Sequence, residues 1–132
     1  MKKIKIMPEY GCSPLWLYDG INLVKNLDIA ELAISESLKN DIQLWADNYE
    51  STFDEDYPPN SGFLNDSDTE AFETAGIHIW ESLLKEMSSY CLVSYYSTIT
   101  AKIYETLNDF IKTIPNHPIY GLKPASFDLI HD

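Results

Sequence analysis

The first patterned run is KIKIM at residues 3–7, where Ile4 and Ile6 alternate with Lys3 and Lys5. A period of two predicts a half-buried strand, and Pro8 stops it. LWLY at 15–18 predicts a second strand, bounded by Pro14 and by the turn pair Asp19-Gly20. Residues 20–34 carry Asn22, Asn26 and Asp28 and read as loop. The period then changes. Leu38, Ile42, Trp45 and Tyr49 recur at i, i+4, i+7 and i+11, which is one apolar stripe of a helix. Ser35 is placed as its N-cap, Glu36 sits at its positive end, and the helix is expected to run to about Glu50.

STFDEDYPPNSGF at 51–63 predicts a loop, because neither Pro58 nor Pro59 suits a helix interior or a central strand. A second helix is expected to open at Ser67, where SDTE places Glu70 three residues on, as in a capping box. Phe72, Ile79, Leu83 and Met87 share a face of it, and Trp80 and Leu84 widen that face. Gly76 lies inside this helix at a cost of ~1 kcal/mol against alanine, marking either close packing or a weak point. YCLVSYYS at 90–97 is β-branched and aromatic and predicts a strand. Ile99, Ile103, Leu107, Phe110 and Ile114 then recur at helical spacing until Pro115, although TAKIYET within that run also reads as a strand. From about Asn116, with Pro118, Gly121 and Pro124, the tail is expected to be irregular. The sum is an α+β chain: one domain over 1–132, with a small, mainly antiparallel sheet packed by two or three helices.

Composition adds a direction to this picture. Hydrophobic residues make up 45% and aromatics 13%, too rich for a disordered chain. The formal charge is −12, every base is a lysine, and between Lys39 and Lys85 there is no base at all. That gap holds Asp41, Asp47, Glu50, Asp54, Glu55, Asp56, Asp66, Asp68, Glu70, Glu73 and Glu81. So one-sided a field repels phosphate backbones and anionic membranes, and it speeds encounter with a basic partner. Solubility alone is the plainer use of such charge. The N-terminal MKKIKIMPEYG has the lysines of an export signal without its apolar stretch, so a cytoplasmic location is expected. Cys12 and Cys91 then read as reduced, buried thiols, with a disulfide the lesser alternative.

The catalytic and metal readings fail on spacing. A calcium loop counted from Asp54 puts Pro59 at position 6 and Asn65 at position 12; counted from Asp66 it puts Ala71 and Ile77 there. Two lone cysteines and three scattered histidines lack zinc spacing, and His78 with Glu81 is a pair that chance supplies. There is no glycine-rich phosphate loop and no nucleophile elbow, and Cys12 has no local base. Asp54 and Asp56 as a carboxylate pair would lack the partner groups that define a site. No cofactor or metal is expected.

What is left is a surface. Asp54, Glu55 and Asp56 stand beside Tyr57, a mixture of charge and rigid aromatic area suited to an interface. Pro58 and Pro59 restrict the backbone, so less entropy is lost on docking. Asp66, Asp68 and Glu70 extend the field, though acids at a helix start also have a local role of ~0.3–1 kcal/mol each. No such capping role is visible for the first three. Trp16, Trp45 and Trp80 are assigned to the core.

The series Tyr10-Gly11-Cys12-Ser13-Pro14-Leu15-Trp16, then Trp45 and Tyr49, the acids Asp54 to Asp56, and Ser61-Gly62-Phe63 resembles a group of small acidic bacterial proteins. Among them are immunity proteins of toxin–immunity systems of the contact-dependent growth inhibition type. The resemblance covers roughly residues 4–87. It implies a cytoplasmic, non-enzymatic inhibitor, monomeric or weakly dimeric, that binds the C-terminal domain of a cognate toxin. Many such toxins are nucleases with basic active sites, the partner class that the charge had already pointed to. The alternatives are an acidic adaptor or regulatory domain for a host protein, and a hydrolase using paired carboxylates.

Overall fold

The alternation at the N-terminus forms strand β1 (Lys2–Ile6) in the computed structural model, which describes residues 2–113. Ile4 and Ile6 point into the core, and Lys3 and Lys5 lie on the other face, as a period of two requires. Strands β2 (Leu15–Asp19) and β3 (Asn22–Asn26) follow as a hairpin whose turn holds Gly20 at φ 60°. Helix α1 (Glu36–Glu50) and helix α2 (Asp66–Met87) come next, then strand β4 (Leu92–Ser97), strand β5 (Lys102–Tyr104) and the short helix α3 (Leu107–Ile111). The sheet order is β3-β2-β1-β4-β5. β1 and β4 pair in parallel, while the other three pairings are antiparallel. This is the mainly antiparallel α+β architecture that the sequence predicts.

The parallel register sets Ile4 beside Val93 and Ile6 beside Tyr95, so these four side chains make one apolar face. α2 packs on it. The Trp80 indole N–H donates to the Val93 carbonyl at 3.0 Å, and its ring stacks on Tyr95 at 5.3 Å. α1 packs against α2 through Trp45, which stacks on Phe72 at 4.5 Å and donates its indole N–H to the Phe72 carbonyl at 2.9 Å. α3 delivers Phe110 edge-on to Trp80, Tyr95 and Tyr104. Burying each such side chain stabilises the fold by about 1.5–3 kcal/mol. Gly76 sits at the junction of α1, α2 and β4 with no room for a Cβ, so it marks close packing rather than a weak point. One turn earlier on α2, the fully buried Glu73 accepts hydrogen bonds from the Tyr95 and Ser97 hydroxyls.

Several boundaries differ from expectation. Residues 20–34 contain β3 and a 3-10 turn at Ile29–Glu31 rather than loop alone; β3 is exposed along its whole length and carries no burial pattern to read. α2 starts at Asp66, and its N-cap is Asn65, whose side chain accepts from the Asp68 N–H; Ser67 is already inside the helix. β4 begins at Leu92, which leaves Tyr90 exposed in the preceding turn. No single helix fills 99–114. Ala101 adopts φ 56°, a left-handed conformation that breaks a helix, and β5 and α3 follow it. Ile114 and the tail from 116 lie outside the described residues. Trp16 is half-buried, with its indole N–H on the Met7 carbonyl, whereas Trp45 and Trp80 are core. Both cysteines are free; Cys91 is buried as expected, but Cys12 is exposed. No helix among the described residues is long and apolar enough to cross a membrane.

Candidate partner-binding site

The acidic loop is built by Asp54. α1 unwinds through N–H bonds from Thr52 and Phe53 to the carbonyls of Tyr49 and Glu50, at 3.0 and 3.1 Å. Asp54 then turns its carboxylate back into the loop. Its Oδ1 accepts from the backbone N–H groups of Asp56 and Tyr57, both at 3.0 Å, and Oδ2 accepts from Asn60 at 3.4 Å. Its own N–H donates to the Ser61 hydroxyl at 2.8 Å. Pro58–Asn60 forms a 3-10 turn, and the Gly62 N–H closes the loop on the Thr52 carbonyl at 3.1 Å. The Tyr57 N–H above all, then Asn60, holds the Asp54 carboxyl below its ordinary pKa, because these donors favour the ionised form. Asp54 therefore has the local structural role that the sequence did not reveal, as an Asx turn.

Glu55 and Asp56 stand differently. Both are exposed, and their carboxylates make no hydrogen bond or ion pair among the described residues. Tyr57 beside them is 63% exposed. Asp66 is exposed at the first turn of α2. Asp68 is joined to the helix cap: Asn65 accepts from its N–H at 2.8 Å and donates to its carboxylate at 3.1 Å. Glu70 is half-buried one turn further on. Phe63 packs on Phe72 at 4.9 Å and fastens the end of the loop to the core.

A cleft of ≈ 430 Å³ brings Asp54 and Asp68 together, between the end of α1 and the start of α2. Glu55, Asp56, Tyr57 and Asp66 do not line it, and Glu70 borders a neighbouring depression with His78. Sequence reasoning missed the seam that continues from this cleft. A depression of ≈ 360 Å³ between α1 and α2 is lined by Leu44, Trp45, Ala75, His78 and Ile79, with Asp41 at its edge. The available signal was Leu44, a leucine off the apolar stripe of α1.

The segment from Tyr10 to Trp16 has a packing role of its own. Tyr10 stacks on Tyr49 at 4.5 Å and shares a hydrogen bond with the Thr52 hydroxyl at 2.7 Å. The Gly11 N–H donates to Glu50 at 2.8 Å. Burial, and then Tyr10 and the charge of Glu9, push the Tyr49 phenol up to about 12. Beside this segment a further cleft of ≈ 530 Å³ exposes Glu9, Asp28, Asp47 and Glu50.

The charges are unevenly shared between the layers. Lys2, Lys3, Lys5, Lys25 and Lys102 lie on strands and only Lys39 and Lys85 on the two long helices, whereas every acid from Asp41 to Glu81 lies on α1, on α2 or in the loop between them. Apart from the buried Glu73, none of those acids sits in an ion pair among the described residues. No group of three metal-ligating side chains occurs among the described residues. The helix layer is thus an acidic face with unpaired carboxylates and apolar seams, chemistry suited to a protein partner.

No curated protein matches the chain. The sequence model of the Serratia CdiI immunity protein-like family matches residues 2–98, from the first strand to just past the fourth. On that match, spanning most of the sequence, the chain belongs to the Serratia CdiI immunity protein-like family.

Proposed function

We propose that this protein neutralises the toxin domain of a contact-dependent growth inhibition system by covering a basic surface on it. The observation that carries this reading is the pair Glu55 and Asp56, held out on a loop that Asp54 stiffens, with neither carboxylate engaged among the described residues. Family membership supplies the class of partner. A basic, phosphate-gripping surface is what such a face complements, so the toxin is a nuclease in this reading. The protein acts in the cytoplasm, as a monomer or weak dimer, by binding and without turnover. Glu55, Asp56 and Tyr57 meet the toxin directly, Asp66, Asp68 and Glu70 extend the field, and Asp54 shapes the loop as well as adding charge.

Co-expression with the C-terminal domain of the protein encoded immediately upstream tests this. Survival of the cells, with a complex that weakens as salt rises, is the expected result. A domain that is harmless alone and forms no complex would sink the reading.

A further inference from the structure

We infer that the seam between α1 and α2 is the apolar anchor site for the toxin domain, taking one amphipathic segment whose apolar side chain enters the seam while its lysines or arginines meet the acids around it. This rests on the immunity reading above and adds where the complex is held, beyond the exposed acidic loop.

The two depressions on this face meet at Asn48, which lines both, and together they follow α1 from Asp41 to Ser51 as a trough. Ten steps of 1.5 Å make it about 15 Å long, room for between two and three helical turns of a partner. Small side chains, Ala71 and Ala75, open it on the α2 side, and Trp45 and Ile79 contribute its apolar depth. The Trp45 N–H is already spent on the Phe72 carbonyl, so the indole offers the trough only apolar surface. Two leucines stand at its walls without a role in the core: Leu44 is 67% exposed and Leu64 is 93% exposed. Single exposed leucines are ordinary, but these two flank the same trough as Trp45 and Ile79 and give it apolar walls that a partner can cover.

Charge decides the occupant. Asp41 borders one end of the trough, and Asp54 and Asp68 border the other; among the described residues no lysine lines it. The Lys39 ammonium, the base nearest in sequence, is held at 2.9 Å by the Ala30 carbonyl and at 3.4 Å by Glu36. A cationic amphipath satisfies both the leucines and the acids. A second copy of this chain, itself carrying −12, is repelled from the same face.

The test is titration calorimetry of the upstream-encoded toxin domain, catalytically silenced, against three forms of the protein: wild type, Leu44→Ser with Leu64→Ser, and Ala75→Gln. These positions are exposed, so thermal melting should match wild type and certify folding. The expected result is an affinity at least tenfold weaker for both variants. Variants that bind like wild type would overturn the trough while leaving the immunity reading standing. A wild type that does not bind would overturn both. If the variants instead change the sedimentation of the isolated protein and leave toxin affinity intact, the trough joins copies of this chain and the inference is wrong.

Discussion

A Cβ on residue 76 would lie 2.6 Å from the Tyr95 hydroxyl oxygen and 2.7 Å from Cζ2 of Trp45. Neither neighbour can retreat: Tyr95 is tied to Glu73, and Trp45 is stacked on Phe72. Gly76→Ala should therefore destabilise the protein, although alanine is the better helix former. Overpacking of ~1–3 kcal/mol outweighs the ~1 kcal/mol gained in helix propensity. Urea unfolding of the variant checks this, and a stabilised Gly76→Ala protein would show that the junction is looser than the distances imply.

Glu73 bridges α2 to β4 through two hydroxyls. Tyr95→Phe keeps the ring stacked on Trp80 and removes one donor from a buried carboxyl, at an expected cost of about 1–3 kcal/mol. Ser97→Ala should behave alike, with a further loss at the turn, because the Ile99 and Thr100 N–H groups both bond to its oxygen at 3.2 Å. A double-mutant cycle between Tyr95 and Ser97 should show coupling through Glu73; strict additivity would argue against a shared carboxyl.

Alkali should destabilise the protein through its buried tyrosines. The Tyr49 phenol is raised from 10.0 to about 12 by burial first and then by Tyr10 and Glu9. Between those values the unfolded chain ionises Tyr49 and the folded chain does not, so the unfolded state gains. The contribution is complete below pH 10 and is lost as pH rises to about 12. Tyr95, pushed well above its usual range by burial and by Glu73, works in the same direction. Unfolding midpoints at pH 8 to 11.5 should fall in wild type and fall less steeply in Tyr49→Phe.

Within the acidic loop, neighbouring acids should separate into two behaviours. Glu55→Gln with Asp56→Asn should leave the melting temperature unchanged and weaken toxin association, with the effect shrinking as salt rises. Asp54→Ala should loosen the turn, because three donors lose their acceptor. Since the folded pKa of Asp54 is depressed, its contribution is present above the ordinary value of 3.8 and is lost as pH falls through the lowered one. Proteolysis at the loop tip, compared between Asp54→Ala and wild type at neutral and acid pH, reads this out.

The N-cap of α2 gives a simpler test. Asn65→Ala should cost ~1 kcal/mol, while Ser67→Ala should be nearly silent.

That last contrast shows where the sequence could be read and where it misled. NDSD and SDTE overlap, both have a capping residue followed by an acid three positions on, and only the three-dimensional path of the loop selects Asn65. α1 was legible because Leu38, Ile42 and Trp45 are all buried on one stripe. β3 was not, because an edge strand exposed on every residue has no alternation to display. Ile103 looked like part of a helical stripe, yet it is an exposed residue of a short edge strand after a left-handed turn. At the candidate site, charge and exposure were readable for Glu55, Asp56 and Tyr57. The inward turn of Asp54 was not, and the trough along α1 depends on how two helices meet.

The parallel pairing of β1 with β4 has a temporal meaning. It places residues 3–6 against residues 92–95, so the middle of the sheet is completed by a strand made long after its neighbour. Contacts of such sequence separation form slowly, and a growing chain cannot bury Ile4, Ile6 and Trp80 together until β4 has emerged. Partial chains should therefore offer no protection. On the proposed immunity function, a cell is then shielded by its standing stock of finished molecules, not by those still being translated.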